Sequence, residues 1–155
     1  MNTQDNQRLE LVVKHFSQLT ADELADLYRL RVAVFVVEQK CPYQEVDLAD
    51  KAAYHVWLRD GEGIQAYLRV LPAGTNFDEP SIGRVIAVKR RCGLGSRILR
   101  AGIQVARERL GAGSIVLEAQ VYARGLYEKQ GFVPVSEEFL EDGIPHIRMR
   151  LRLDG

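Results

Sequence analysis

The segment Ser81-Ile82-Gly83-Arg84-Val85-Ile86-Ala87-Val88-Lys89-Arg90-Arg91-Cys92-Gly93-Leu94-Gly95-Ser96 holds the transition on which the fold turns. Ile82, Arg84, Ile86 and Val88 alternate with Gly83, Val85 and Ala87, as in a strand apolar on both faces and therefore central in its sheet. Beyond the glycines, two apolar rows run at helical spacing, Ile98-Gly102-Val105 and Leu99-Ile103-Ala106-Leu110, and Gly111 and Gly113 close the helix. At such a junction backbone N–H groups converge on the positive end of a helix. With Arg90 and Arg91 beside them, they suit a phosphorylated ligand. The Rossmann fingerprint fails because Ile98 occupies its third glycine, and the Walker pattern fails because no Gly-Lys-Ser/Thr follows.

Upstream, Leu9 to His15 reads as a first strand. Thr20-Ala21-Asp22-Glu23 is a capping box, opening a helix whose apolar residues Leu24, Leu27, Tyr28, Val34 and Phe35 carry it to about Val37, with Arg31 interrupting the stripe. Cys41 to Lys51 is acidic and irregular, a surface loop in which Glu45, Asp47 and Asp50 either steer a cation or form a solvated face. Tyr54 to Arg59 and Ile64 to Leu71 flank an Asp60-Gly61 turn and form a hairpin. Downstream come a strand from Ser114 to Gln120, a short helix from Ala123 to Lys129, a strand from Phe132 to Val135, and a final strand from Pro145 to Leu153 behind an Asp142-Gly143 turn. The expected fold is α/β (α+β): one mixed sheet of about seven strands with helices on its faces.

The chain has 155 residues, the size of a single domain spanning 1–155. Lys and Arg total 21 and Asp and Glu total 21, so the net charge is zero, which speaks against a nucleic-acid coat or a polybasic membrane binder. Two cysteines, a polar start and no apolar run of membrane-spanning length lead to the expectation of a cytoplasmic protein. Cys41, Cys92 and three scattered histidines lack metal-ligand spacing, so no metal is expected.

Arg90-x-x-Gly93-x-Gly95, the strand before it, the helix and strand after it, and Tyr127-x-x-x-Gly131-Phe132 together resemble the GNAT superfamily of N-acetyltransferases. Residues 31–39 (RVAVFVVEQ), 41–47 (CPYQEVD), 66–69 (AYLR), 82–85 (IGRV), 119–120 (AQ) and 143–147 (GIPHI) resemble its ElaA-like branch, although the connection between Val85 and Gly93 is shorter here. The resemblance implies a mostly antiparallel twisted sheet with a splayed central parallel pair. It also implies acetyl-coenzyme A as cosubstrate, bound by Ile86, Ala87, Val88, Arg90, Arg91, Gly93, Leu94, Gly95 and Ser96, and direct acetyl transfer to a small-molecule or peptide amine in a ternary complex. A coenzyme-binding regulatory module on the same fold, or transfer of another acyl group or to another acceptor, stays open.

Acetyl transfer to an amine needs a neutral nucleophile, a donor for the developing oxyanion and a proton for the departing thiolate. The resemblance gives the last role to Tyr127 and the oxyanion to a backbone N–H near Val88. Glu38, Glu45, His55, Glu118 and His146 qualify by type as the base, and the expected catalytic set is Tyr127, His55 and Glu38. Each has a structural alternative: His55 and His146 as hydrogen-bonding groups, Glu118 in a buried ion pair with Arg84 or Arg69. Exposed strands leave a homodimer open; no nucleic-acid or membrane partner is expected.

Overall fold

A computed structural model of the protein describes residues 8–89 and 93–153. The alternating segments pair into one eight-stranded sheet: β1 (Glu10–His15), β2 (Tyr54–Asp60), β3 (Gly63–Leu71), β4 (Ser81–Ala87), β5 (Ser114–Gln120), β6 (Val133–Pro134), β7 (Phe139–Glu141) and β8 (Ile144–Arg152). The order is β1-β2-β3-β4-β5-β8-β6, with β7 also on β8, and every pairing is antiparallel except β4 with β5. That parallel pair has one rung, Ser81 opposite Val116. The mixed, mostly antiparallel sheet with a parting central pair is therefore present. The strand not foreseen is β7, whose three residues alternate too briefly to stand out.

Period-two alternation sends the two faces of β2 and β3 to different helices. Val56, Leu58 and Leu68 pack with Ile98 and Leu99 of α2 (Leu94–Leu110), and Trp57 and Tyr67 pack with Leu27 of α1 (Ala21–Val32). Each such buried side chain contributes about 1.5–3 kcal/mol of transfer free energy. α2 lies close on β3 because it presents Gly102 there, where an added Cβ would stand 2.7 Å from Leu68 Cδ2. α3 (Arg124–Glu128) is a single short turn after β5. Among the described residues no helix is long and apolar enough to cross a membrane.

Three local features place the cleft. α1 begins at the expected box, Thr20 Oγ1 accepting from Glu23 N at 3.1 Å and Glu23 Oε1 from Thr20 N at 2.9 Å. It does not end as a plain α-helix: Ala33–Glu38 continue as a π-helical segment, which turns Val34, Phe35 and Glu38 toward the sheet centre. In β4, Tyr67 faces Ile86 and Arg69 faces Gly83, so Arg84 and Val85 together oppose Leu68. This is a β-bulge, with Arg84 in the left-handed region at φ 54°. The bulge bends β4 away from β5.

The acidic loop differs from both expectations for it. Glu45 and Asp50 are 2% and 1% exposed, enclosed with a fully buried Arg31. Arg31 reaches Glu45 Oε2 at 2.9 Å and Asp50 Oδ1 at 2.7 Å; Arg69 reaches Asp47 Oδ1 at 2.7 Å and Asp50 Oδ1 at 3.0 Å. Arg84 Nε stands 2.6 Å from Glu45 Oε2, though off-line for a hydrogen bond. Three guanidiniums and three carboxylates thus neutralise one another inside the protein. Glu45 and Asp50 are accordingly neither a solvated face nor a steering patch.

Candidate active site

Where β4 and β5 part, a cleft of about 1220 Å³ opens, larger than a typical small-ligand pocket. Its walls are the bulged half of β4, the first turn of α2, one face of β5 and β8, the π-helical segment and α3. Glu38, Ile86, Ala87, Val88, Gly93, Leu94, Gly95, Ser96 and Tyr127 all line it. Arg90, Arg91 and Cys92 lie outside the described residues.

At one end, Gly93 caps α2 with φ 74° and its carbonyl accepts from Arg97 N at 3.0 Å. No side chain caps this terminus among the described residues, and its first turn carries no acidic residue. An added Cβ at Gly93 would meet open space. An uncapped, acid-free start to a 17-residue helix, with Lys89 on the same cleft, fits a diphosphate.

Tyr127 sits along the cleft at 7% exposure, its ring edge-on to Phe132 at 6.1 Å. Burial raises the phenol well above its ordinary range, so it stays protonated across physiological pH. The Val88 N–H, in contrast, is already committed: it donates to Gln65 O at 2.9 Å across the β3–β4 ladder. Peptide groups alternate in direction along a strand, so the Ala87 N–H points to the opposite edge, the one β5 has left.

His55 does not reach the cleft. It is fully buried, with Nδ1 2.6 Å from the Tyr67 hydroxyl and Nε2 3.0 Å from the Asp50 carbonyl, and burial lowers its pKa. Both ring nitrogens are engaged in holding the charge network, so the hydrogen-bonding alternative describes it. Glu38 is exposed at the rim. Glu118 pairs with neither Arg84 nor Arg69 but with its cross-strand neighbour Arg148 at 3.0 Å.

Sequence reasoning passed over Glu141, which shares a sheet face with Ile144 and His146. The signal was available: Phe139-x-Glu141 and Ile144-x-His146-x-Arg148 flank the Asp142-Gly143 turn with matching alternation. The π-helical segment and the wall opposite also touch at the rim, where the Gln39 and Gln120 amides pair at 3.3 and 3.5 Å.

A parted parallel pair, a bulged strand and an open helix start define the cleft, and residues 23–153 match the family model described as an acetyltransferase (GNAT) domain. The chain belongs to the GNAT family. It is 41% identical to a UPF0039 protein of Schizosaccharomyces pombe over 149 residues, 94% of this chain and 98% of that one. Among solved structures it is similar to an acyl-CoA N-acyltransferase from Pseudomonas aeruginosa, with TM-score 0.85 and 40% identity over 92% of this chain and 99% of that one. It is likewise similar to Escherichia coli ElaA, with TM-score 0.86 and 33% identity over the same shares. Acyl-coenzyme A is the usual donor of GNAT proteins, and the start of α2 in this GNAT domain suits its diphosphate.

Proposed function

We propose that the protein moves acetyl from acetyl-coenzyme A to a primary amine. The observation that carries this reading is the cleft between β4 and β5, open to the uncapped start of α2 at one end and lined by Tyr127. The coenzyme supplies an acyl group activated as a thioester. The N–H groups of Leu94, Gly95 and Ser96 hold the diphosphate, and Arg90 and Arg91 add charge. Ile86, Ala87 and Val88 form the strand edge along which the coenzyme's arm lies, and the Ala87 N–H, rather than that of Val88, donates to oxygen as negative charge grows on it. Tyr127, kept protonated by burial, donates its O–H to the sulfur as the carbon–sulfur bond breaks, and the proton the sulfur takes is replaced on the phenol by the one that the new amide nitrogen sheds.

Isothermal titration with acetyl-coenzyme A, followed by labelled acetyl-coenzyme A with pooled primary amines, tests the reading. Expected are saturable binding and one acetylated amine per free coenzyme A released. Binding without transfer would instead indicate a regulatory module, and no binding would overturn the reading altogether.

A further inference from the structure

One face of the β7–β8–β5 wall carries, by strand alternation, Phe139 and Glu141, then Ile144, His146 and Arg148, then Glu118 and Gln120. His146 is 8% exposed and lines the cleft, its ring stacked on Phe139 at 6.1 Å and 24°. Its Nδ1 stands 2.7 Å from the Ile144 carbonyl oxygen. A carbonyl only accepts, so Nδ1 must carry hydrogen, and in the neutral ring Nε2 is left as the bare nitrogen. That nitrogen is 3.7 Å from Glu141 Oε2. Glu118, Glu141 and Asp142 of the turn accompany a single Arg148, leaving this end of the cleft negative, which favours an incoming ammonium. Burial and the neighbouring Glu118 raise the Glu141 carboxyl, consistent with this crowding of acids.

The other groups that qualified by type are differently occupied. His55 is sealed in, Glu45 belongs to the charge network, Glu118 is bound to Arg148, and Glu38 lies exposed at the rim. We propose that His146 is the catalytic base that takes the proton from the acceptor ammonium, with Glu141 as its positioning residue. This rests on the amine-transfer reading above. The ammonium N–H bond breaks and leaves its electron pair on nitrogen; the proton bonds to Nε2, and the resulting imidazolium lies between the Ile144 carbonyl and the Glu141 carboxylate. The imidazolium then releases the Nε2 proton to water at the mouth of the cleft, beside the half-exposed Glu141, and the ring returns to its neutral form.

The chain has three histidines, so ring nitrogen NMR of the whole protein resolves the state of each. Neutral His146 is expected to carry hydrogen on Nδ1, and Glu141→Gln is expected to lower kcat for the amine while leaving the KM for acetyl-coenzyme A unchanged. The charged groups facing the ring are Glu141 from β7, Glu118 from β5, Arg148 on its own strand and Asp142 in the turn. With butylamine as acceptor, His146→Gln should lower kcat/KM about 100-fold near neutrality, at unchanged KM for acetyl-coenzyme A. The deficit should shrink as pH nears the amine's own pKa. A proton found on Nε2 of the neutral ring, or a pH profile in His146→Gln parallel to wild type, overturns the assignment alone. A wild type that binds acetyl-coenzyme A yet acetylates no amine overturns the transfer reading, and this base with it.

Discussion

Tyr127 is a phenol that burial keeps from ionising, in contact with Phe132 and open to the cleft, an arrangement that keeps an O–H donor in place at any physiological pH. Tyr127→Phe keeps the ring and its packing, so acetyl-coenzyme A affinity by calorimetry should change less than about 2-fold while kcat falls by about 100-fold or more. Arg31 shows a second kind of residue, one whose surroundings could not be read along the chain. In the sequence it interrupts an apolar stripe; in the structure it joins Glu45 and Asp50, 14 and 19 positions away. Charged residues in an irregular segment look solvated until their distant partners are known. Arg31→Ala would leave two buried carboxylates short of a partner and should cost about 3–5 kcal/mol by urea denaturation.

At the scale of elements, legibility followed locality. The Thr20–Glu23 box, the Asp60-Gly61 hairpin and the glycine-bounded α2 were readable because each is specified by residues a few positions apart. The π-helical segment and the Arg84 bulge were not, since both arise from how the cleft walls are arranged across the molecule. The coenzyme end of the cleft was accordingly visible in the residues around Gly93, whereas the far wall, made by three strands meeting, was not. Gly93→Val places a β-branched residue at φ 74°, a strain of about 1–2 kcal/mol at the cap. Circular dichroism should show α2 retained, and titration should show acetyl-coenzyme A binding weakened at least about 10-fold.

For the molecule as a whole, the buried charges set its response to acid. Burial alone would raise Asp47 and Asp50, but the guanidiniums of Arg69 and Arg31 prevail and hold both carboxyls below the ordinary value of 3.8. A depressed carboxyl contributes stability that is present above its unfolded pKa and lost as pH falls through the folded one. His55, lowered from 6.5 by burial, has the same sign: the unfolded chain takes up its proton first. Stability measured by denaturant at stepped pH should therefore begin to fall below about pH 6.5 and drop again below about pH 4. His55→Gln should remove the first decline and leave the second.

The single rung between Ser81 and Val116, with Val116 N donating to Pro80 O at 3.0 Å, joins two otherwise continuous half-sheets. The protein is therefore built like a book whose leaves are bound at one point of the spine. A guest lodged between the pages replaces the stitches that the binding omits, so the occupied form should resist prying apart along that seam more than the empty one.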